Sequence, residues 1–286
     1  MSHSQLHPNW DKPWKAITDG YSLEVTARDL PRLRALAGRI PAETPVAVTW
    51  LPGEDLPARV ATAVAVRELG CEPMPHFSAR RIRSEREFTD YLATAVREAD
   101  VRRCFVVAGD PREPEGPFAD SSALLATGAF EALGIRAVGV GGHPEGHPVM
   151  SPAQCWDVLA AKLADIAARG MASLVVTQFG FDAGAVLAWL AEARQRGIDS
   201  PVRLGVPGPA SIATLLRYAA YCGVGASTAV MRKYGVSLGN LVGNAGPDKF
   251  VGRLERELGP RHGPVRLHFY PFGGLARTLE WIERRG

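Results

Sequence analysis

Eight short apolar runs, each followed by a helix-length segment, set the tightest limit on how this chain can fold. The runs are Tyr21–Val25, Pro45–Trp50, Glu72–Pro75, Arg103–Ala108, Ala137–Val140, the stretch within Ser173–Asp182, Val202–Gly205 and Arg266–Phe269. Apolar runs of strand length suit parallel strands buried on both faces, most plainly Leu174-Val175-Val176 and Phe105-Val106-Val107. Between them lie helical patterns near 57–69, 84–99, 122–133, 151–169, 185–197 and 211–221, with a last helix running to Glu283. Trp156, Leu159, Leu163 and Ile166 form one such helical stripe. The alternation favours a (β/α)8 TIM barrel over an open doubly wound sheet. No GxGxxG pattern follows the first strand, which counts further against a dinucleotide-binding sheet. The expected organisation is a single domain over residues 1–286, with an N-terminal extension at 1–18 and a helical excursion at 223–258.

Composition agrees with that outline and narrows the partners. A chain of 286 residues, 46% hydrophobic and 22% charged, can bury a sizeable core. Its net charge of +3 gives no reason to expect nucleic acid or an anionic membrane as a partner. Cys71, Cys104, Cys155 and Cys222 lack CxxC spacing and read as reduced packing thiols. No apolar run reaches the about 18 residues of a membrane span, and the polar start lacks a secretory core. The expectation is a soluble cytoplasmic protein; assembly into a homo-oligomer stays open.

The strand ends carry the chemistry. They deliver Glu24, Thr49, His76, Asp110, His143 with His147, Gln178 and Tyr270, which a barrel would gather at one rim. Glu24 lies between Leu23 and Val25, so it faces the opposite way from them. A carboxyl in a partly apolar mouth should have a raised pKa, as a general acid needs; an ion pair with an arginine is the equally open alternative. Asp110 follows Gly109, where a ligand could approach the backbone, and an Asx turn before Pro111 is its structural alternative. His143-Pro144-Glu145-Gly146-His147 invites a metal reading, but proline and glycine make it a loop rather than a helix with ligands at i, i+4. No metal is expected there; contact with a cofactor or loop packing is preferred. Arg80, Arg81, Arg83 and Arg86 read as a solvated helix start, or as an attractor for an anionic tail.

Taken together, Val175-Val176-Thr177-Gln178-Phe179-Gly180-Phe181-Asp182, Leu23-Glu24-Val25, Val48-Thr49, Pro75-His76, Ala108-Gly109-Asp110, His143 to Pro148 and His268-Phe269-Tyr270 resemble the methylenetetrahydrofolate reductase family, in family order. The resemblance implies a barrel that binds FAD and tetrahydrofolate derivatives, with NADH or NADPH as co-substrate. Hydride transfer through flavin N5 would interconvert 5,10-methylenetetrahydrofolate and 5-methyltetrahydrofolate in one-carbon metabolism. It also implies roles: Glu24 as the acid, Asp110 as the carboxylate near pterin and flavin, and Gln178 as the amide that orients the pterin, with Tyr270 beside the substrate. Thr49, His76, Ala108, Gly109, Asp110, His143 and His147 fall at flavin-contact positions. Asp157 and Lys162 are the residues available for the FAD ribose and phosphates, at altered spacing.

Other departures from the family pattern are local. Gly180 replaces a common aromatic and is expected to open the pocket wall, and His143 stands where tyrosine is common. Ala108 replaces an arginine, and Gly273-Gly274 stand where a substrate-contacting arginine often lies. Other readings are a member running in the oxidative direction in one-carbon catabolism, a catalytically silent flavin- or folate-binding barrel acting on a partner, and a metal-dependent hydrolase using His143 and His147.

Overall fold

The structure is a computed structural model that describes residues 14–224 and 243–286. Residues 1–13 of the expected N-terminal extension and 225–242 of the expected excursion lie outside the described residues. In chain order the elements are β1 (Ser22–Val25), α1 (Leu30–Ala35), β2 (Pro45–Val48), α2 (Leu56–Glu68), β3 (Glu72–Ser78), α3 (Glu85–Ala99) and β4 (Arg103–Val107). Then come α4 (Ser121–Ala126), α5 (Ala129–Ala132), β5 (Ala137–Gly142), α6 (Pro152–Ala168), β6 (Ala172–Phe179), α7 (Ala183–Gln195) and β7 (Val202–Pro207). The chain ends with β8 (Ala210–Ser211), α8 (Ile212–Tyr221), β9 (Asn244–Ala245), α9 (Asp248–Glu257), β10 (Val265–Tyr270) and α10 (Leu275–Arg285).

Eight of these strands close into a parallel barrel in the order β1-β10-β7-β6-β5-β4-β3-β2, the (β/α)8 architecture expected from the alternation. The two-residue strands β8 and β9 pair antiparallel in a small separate sheet that the sequence reading did not contain. The helix expected over 122–133 is two pieces, α4 and α5, and β3 runs past Pro75 to Ser78. Among the described residues no helix is long and apolar enough to cross a membrane.

By contacts the chain divides into two compact units, one holding Leu23–Gly141 with Ala161–Leu174, the other holding Ser22, Gly142–Ala160 and the chain from Val175. In the first, Phe77 of β3 packs on Phe88 and Tyr91 of α3 at 5.6 and 4.9 Å between ring centroids, and on Phe130 of α5 at 5.5 Å. Each such buried ring contributes about 1.5–3 kcal/mol by leaving water. Phe77 therefore faces the helices, and its neighbours His76 and Ser78 face the barrel interior. Met74 shares their face, pairs with Ala47, and Ala47 pairs with Glu24, so Glu24 also points inward. In the second unit, Phe269 packs on Trp281 of α10 at 5.7 Å, which turns His268 and Tyr270 inward. These two stand in register with Gly205 and Pro207 of β7.

Candidate functional site

In the first unit the inward face brings Glu24 into the field of His76. Burial raises the Glu24 carboxyl to about 7, His76 pulls it down, and Asp29 adds to the rise. Leu23 and Val25, on the opposite face of β1, are fully buried. Thr49, just beyond β2, is buried and donates to the Val25 carbonyl through both its backbone N–H (2.9 Å) and its hydroxyl (3.1 Å). It thereby ties the end of β2 to the residue after Glu24. His76 sits within β3 rather than at its end, its ring 4.7 Å from Phe105 of β4.

Beyond β4 the backbone turns at Gly109, with φ of +94°. A Cβ there would lie 2.2 Å from the Ser78 hydroxyl, so the glycine admits the end of β3 rather than, as expected, leaving room for a ligand. Asp110 is exposed and pairs with Arg81 at 3.0 Å, and Arg81 also reaches Glu115 at 3.6 Å. Arg80 donates to the carbonyls of Ala119 (2.7 Å) and Pro111 (3.2 Å), and its own N–H donates to the Ala108 carbonyl at 2.9 Å. The basic cluster is thus a lock on the β4–α4 loop for Arg80 and Arg81.

In the second unit β6 bulges between Val176 and Phe179, shifting its register against β7. The Gly205 N–H donates to the Thr177 hydroxyl at 2.8 Å, and the Tyr270 hydroxyl donates to the Thr177 carbonyl at 3.0 Å. These bonds satisfy the backbone groups that a bulge leaves unpaired. Gln178 follows, half-buried, its side-chain oxygen accepting from the Phe179 N–H at 3.1 Å. Phe179 packs edge-on against Tyr270 (5.5 Å) and Phe272 (4.8 Å). After β5, the rings of His143 and His147 meet edge to face at 4.7 Å, and the Val149 N–H donates to His147 Nδ1 at 3.2 Å. Among the described residues no group of three His, Cys, Asp or Glu side chains is arranged to hold a metal ion.

A family profile described as methylenetetrahydrofolate reductase matches residues 34–272. This chain belongs to the methylenetetrahydrofolate reductase family. A protein of Clostridium thermocellum that binds two copies of 5-methyl-5,6,7,8-tetrahydrofolic acid is similar in structure, with a TM-score of 0.64 and 10% identity over 98% of each chain. The thermostable aldo-keto reductase Tm1743 matches at a TM-score of 0.50 and 10% identity, over 93% of this chain and 89% of that one. At such identities both likenesses concern the fold alone.

FAD goes with the methylenetetrahydrofolate reductase family, and its diphosphate requires cations or unpaired backbone N–H groups. The residues expected to meet it do not. Asp157 is exposed on α6, and Lys162 is five residues further on, about 140° around the helix. Lys162 is half-buried, its ammonium pKa lowered by burial and partly restored by Asp120. Ala108 supplies no charge, and Arg80 and Arg81 are committed to the β4–α4 loop. Among the described residues, Ala108, Asp157, Lys162, Arg80 and Arg81 do not make a donor set that fits the diphosphate half of FAD.

Within this member of the methylenetetrahydrofolate reductase family, Gly180 opens no gap. A Cβ on Gly180 would lie 2.5 Å from Glu145 Oε1, so the carboxylate of the His143–His147 loop fills the space. Sequence reading passed over Glu145 because its partner lies 35 positions away and is a residue without a side chain. It also missed His268, a buried imidazole 2.8 Å from the Ser22 hydroxyl. A separate cavity of about 890 Å³ lies in the first unit at the amino ends of β4 and β5. Three of its four arginines are paired, Arg103 with Glu72 (3.6 Å), Arg102 with Asp100 (3.1 Å) and Arg169 with Glu131 (2.8 Å), a charge network suited to stability.

Proposed function

We propose that this barrel interconverts 5,10-methylenetetrahydrofolate and 5-methyltetrahydrofolate, with NADH or NADPH as the outside hydride source. The observation that carries the reading is Glu24, an inward-facing carboxyl raised to about 7 by burial. A group with that pKa holds a proton at neutral pH and can release it, which is what opening the five-membered folate ring demands. Glu24 donates its proton to N10, the N10–methylene bond breaks, and the one-carbon unit remains on N5 as an iminium cation. A hydride originating from the reduced nicotinamide would convert that iminium to the N5 methyl group, the nucleotide being oxidised in the exchange. The sum is one proton and one hydride added. In the oxidative direction the same carboxylate takes the proton back.

Asp110, held by Arg81 at 3.0 Å, is the carboxylate that the family resemblance puts beside the cationic intermediate, and this role requires it to turn from Arg81 toward the folate. The Gln178 amide orients the pterin, with Tyr270 supporting the backbone beside it. Family membership and the methyltetrahydrofolate-binding structural relative support the folate assignment. FAD is the hydride carrier that the family resemblance implies. Its diphosphate finds no matching donors at Ala108, Asp157 and Lys162. On this reading the chain is a single catalytic domain working in the cytoplasm, where free cysteines such as Cys71 and Cys104 stay reduced.

Titration with 5-methyltetrahydrofolate, followed by tryptophan fluorescence, tests the folate assignment. Saturable binding that weakens about tenfold or more in Gln178→Ala is expected; no binding at millimolar ligand would overturn it. The absorption spectrum of the pure protein, before and after adding FAD, shows whether a flavin carrier is present.

A further inference from the structure

Glu145 sits in a turn closed by the Gly146 N–H donating to the His143 carbonyl at 3.1 Å. Its Oε1 accepts from the backbone N–H groups of Phe181 (2.6 Å) and Asp182 (2.8 Å). Those two groups lie immediately before α7, where Asp182 caps the helix by accepting from the Gly184 N–H at 2.9 Å. One carboxylate oxygen therefore fastens the histidine loop after β5 to the segment that begins two residues after Gln178. Bonds of this kind, from N–H groups to an ionised acceptor, are stronger and more directional than neutral ones. The approach is possible only because residue 180 lacks a Cβ, which would stand 2.5 Å from the same oxygen.

We infer that Glu145 is a positioning residue for folate binding, that Gly180 is its obligatory partner, and that the pair fixes where the β6 end presents Gln178. The inference rests on the folate reading given above. Any side chain at 180 evicts the Glu145 carboxylate, so a family member with an aromatic there must hold its β6 end by other contacts. Removing the carboxylate releases the Phe181 and Asp182 N–H groups, and Gln178 loses its fixed bearing relative to His143 and His147.

The test is a double-mutant cycle on the full chain with Glu145→Ala, Gly180→Ala, the double variant, and Glu145→Gln as the conservative control. Affinity for 5-methyltetrahydrofolate and thermal unfolding are both measured. Glu145→Ala and Gly180→Ala should each weaken binding about tenfold or more. The double variant should be no weaker than Glu145→Ala, since the evicted carboxylate is already absent. Glu145→Gln keeps an oxygen that can accept both bonds and should bind within about threefold of the parent. Losses that simply add in the double variant, or unchanged affinity in Glu145→Ala, would overturn the inference. So would a Glu145→Gln variant as weak as Glu145→Ala, because charge rather than position would then matter. If the parent chain binds no methyltetrahydrofolate, the folate reading fails instead. The pairing of Glu145 with Gly180 is then judged from the additivity of the unfolding temperatures alone.

Discussion

His76 and Glu24 act on each other in opposition to burial: desolvation lifts the Glu24 carboxyl to about 7, and the His76 imidazole draws it back. Both lie on the inward face of the first unit, a placement that follows from the pairing of Glu24 with Ala47 and Ala47 with Met74. The acid strength proposed for ring opening is thus set by burial against the pull of His76, with Asp29 adding to the rise, and His76 can be changed alone.

The rate of methylenetetrahydrofolate reduction should fall as pH rises through about 7, because the proton donor is lost there. Replacing His76 with alanine removes the stabiliser of the charged form and should move that limb to higher pH. A pH–rate profile of the two proteins checks it; a limb that stays in place would show that another group is titrating.

The same shift has a thermodynamic consequence. Folded Glu24 keeps its proton up to about 7, whereas its ordinary value is 4.5. Stability from this group is therefore full below the lower value and is lost as pH rises through the upper one. The penalty above pH 7 is about 3 kcal/mol at most. Glu24→Gln should gain stability relative to the parent on going from pH 4.5 to pH 8, by roughly 1–3 kcal/mol in urea unfolding. An equal difference at both pH values would mean that Glu24 is not desolvated in the folded protein.

His268 gives the opposite slope. Burial, helped by Arg203, pushes its imidazole from 6.5 down to about 3. The unfolded chain binds that proton first, so this contribution is present above pH 6.5 and is lost as pH falls toward 3. At pH 5 the loss is about 2 kcal/mol relative to pH 8. His268→Gln should flatten the acid limb of a stability–pH curve, even if it lowers the stability at pH 8 by disturbing the Ser22 contact.

Tyr270→Phe should cost about 1 kcal/mol of stability through loss of the bond to the Thr177 carbonyl. The carbonyl belongs to the residue before Gln178, so the KM for folate should rise more than kcat falls. Steady-state kinetics separate the two; a loss confined to kcat would place the Tyr270 hydroxyl in the chemistry itself.

Much of the barrel was legible because each buried strand carries its own apolar signature and each helix its own stripe, as Trp156 to Ile166 do in α6. Local punctuation misled where tertiary packing overrode it. Pro75 reads as the end of β3, yet Phe77 continues the strand because α3 and α5 supply aromatic partners for it. The antiparallel pairing of β8 with β9 joins residues more than 30 positions apart and leaves no local trace. At the site, the inward side of Glu24 could be read from Leu23 and Val25 alone. Gly180 could not, since a missing side chain names no occupant for the space, and Glu145 only acquires meaning once the two segments are folded together. Gly109 was read as room for a ligand for the same reason, and Ser78 occupies that room.

On the proposed mechanism, Glu24 donates the proton that opens the folate ring. The most direct measurement is formation of 5-methyltetrahydrofolate from 5,10-methylenetetrahydrofolate with NADH or NADPH, with and without added FAD, in the parent chain and in Glu24→Gln. Product is expected from the parent, with turnover lower by about 10²- to 10⁴-fold in the variant and folate affinity little changed. Product formed by Glu24→Gln at the parent's rate, or no product from the parent under any of these conditions, would contradict it.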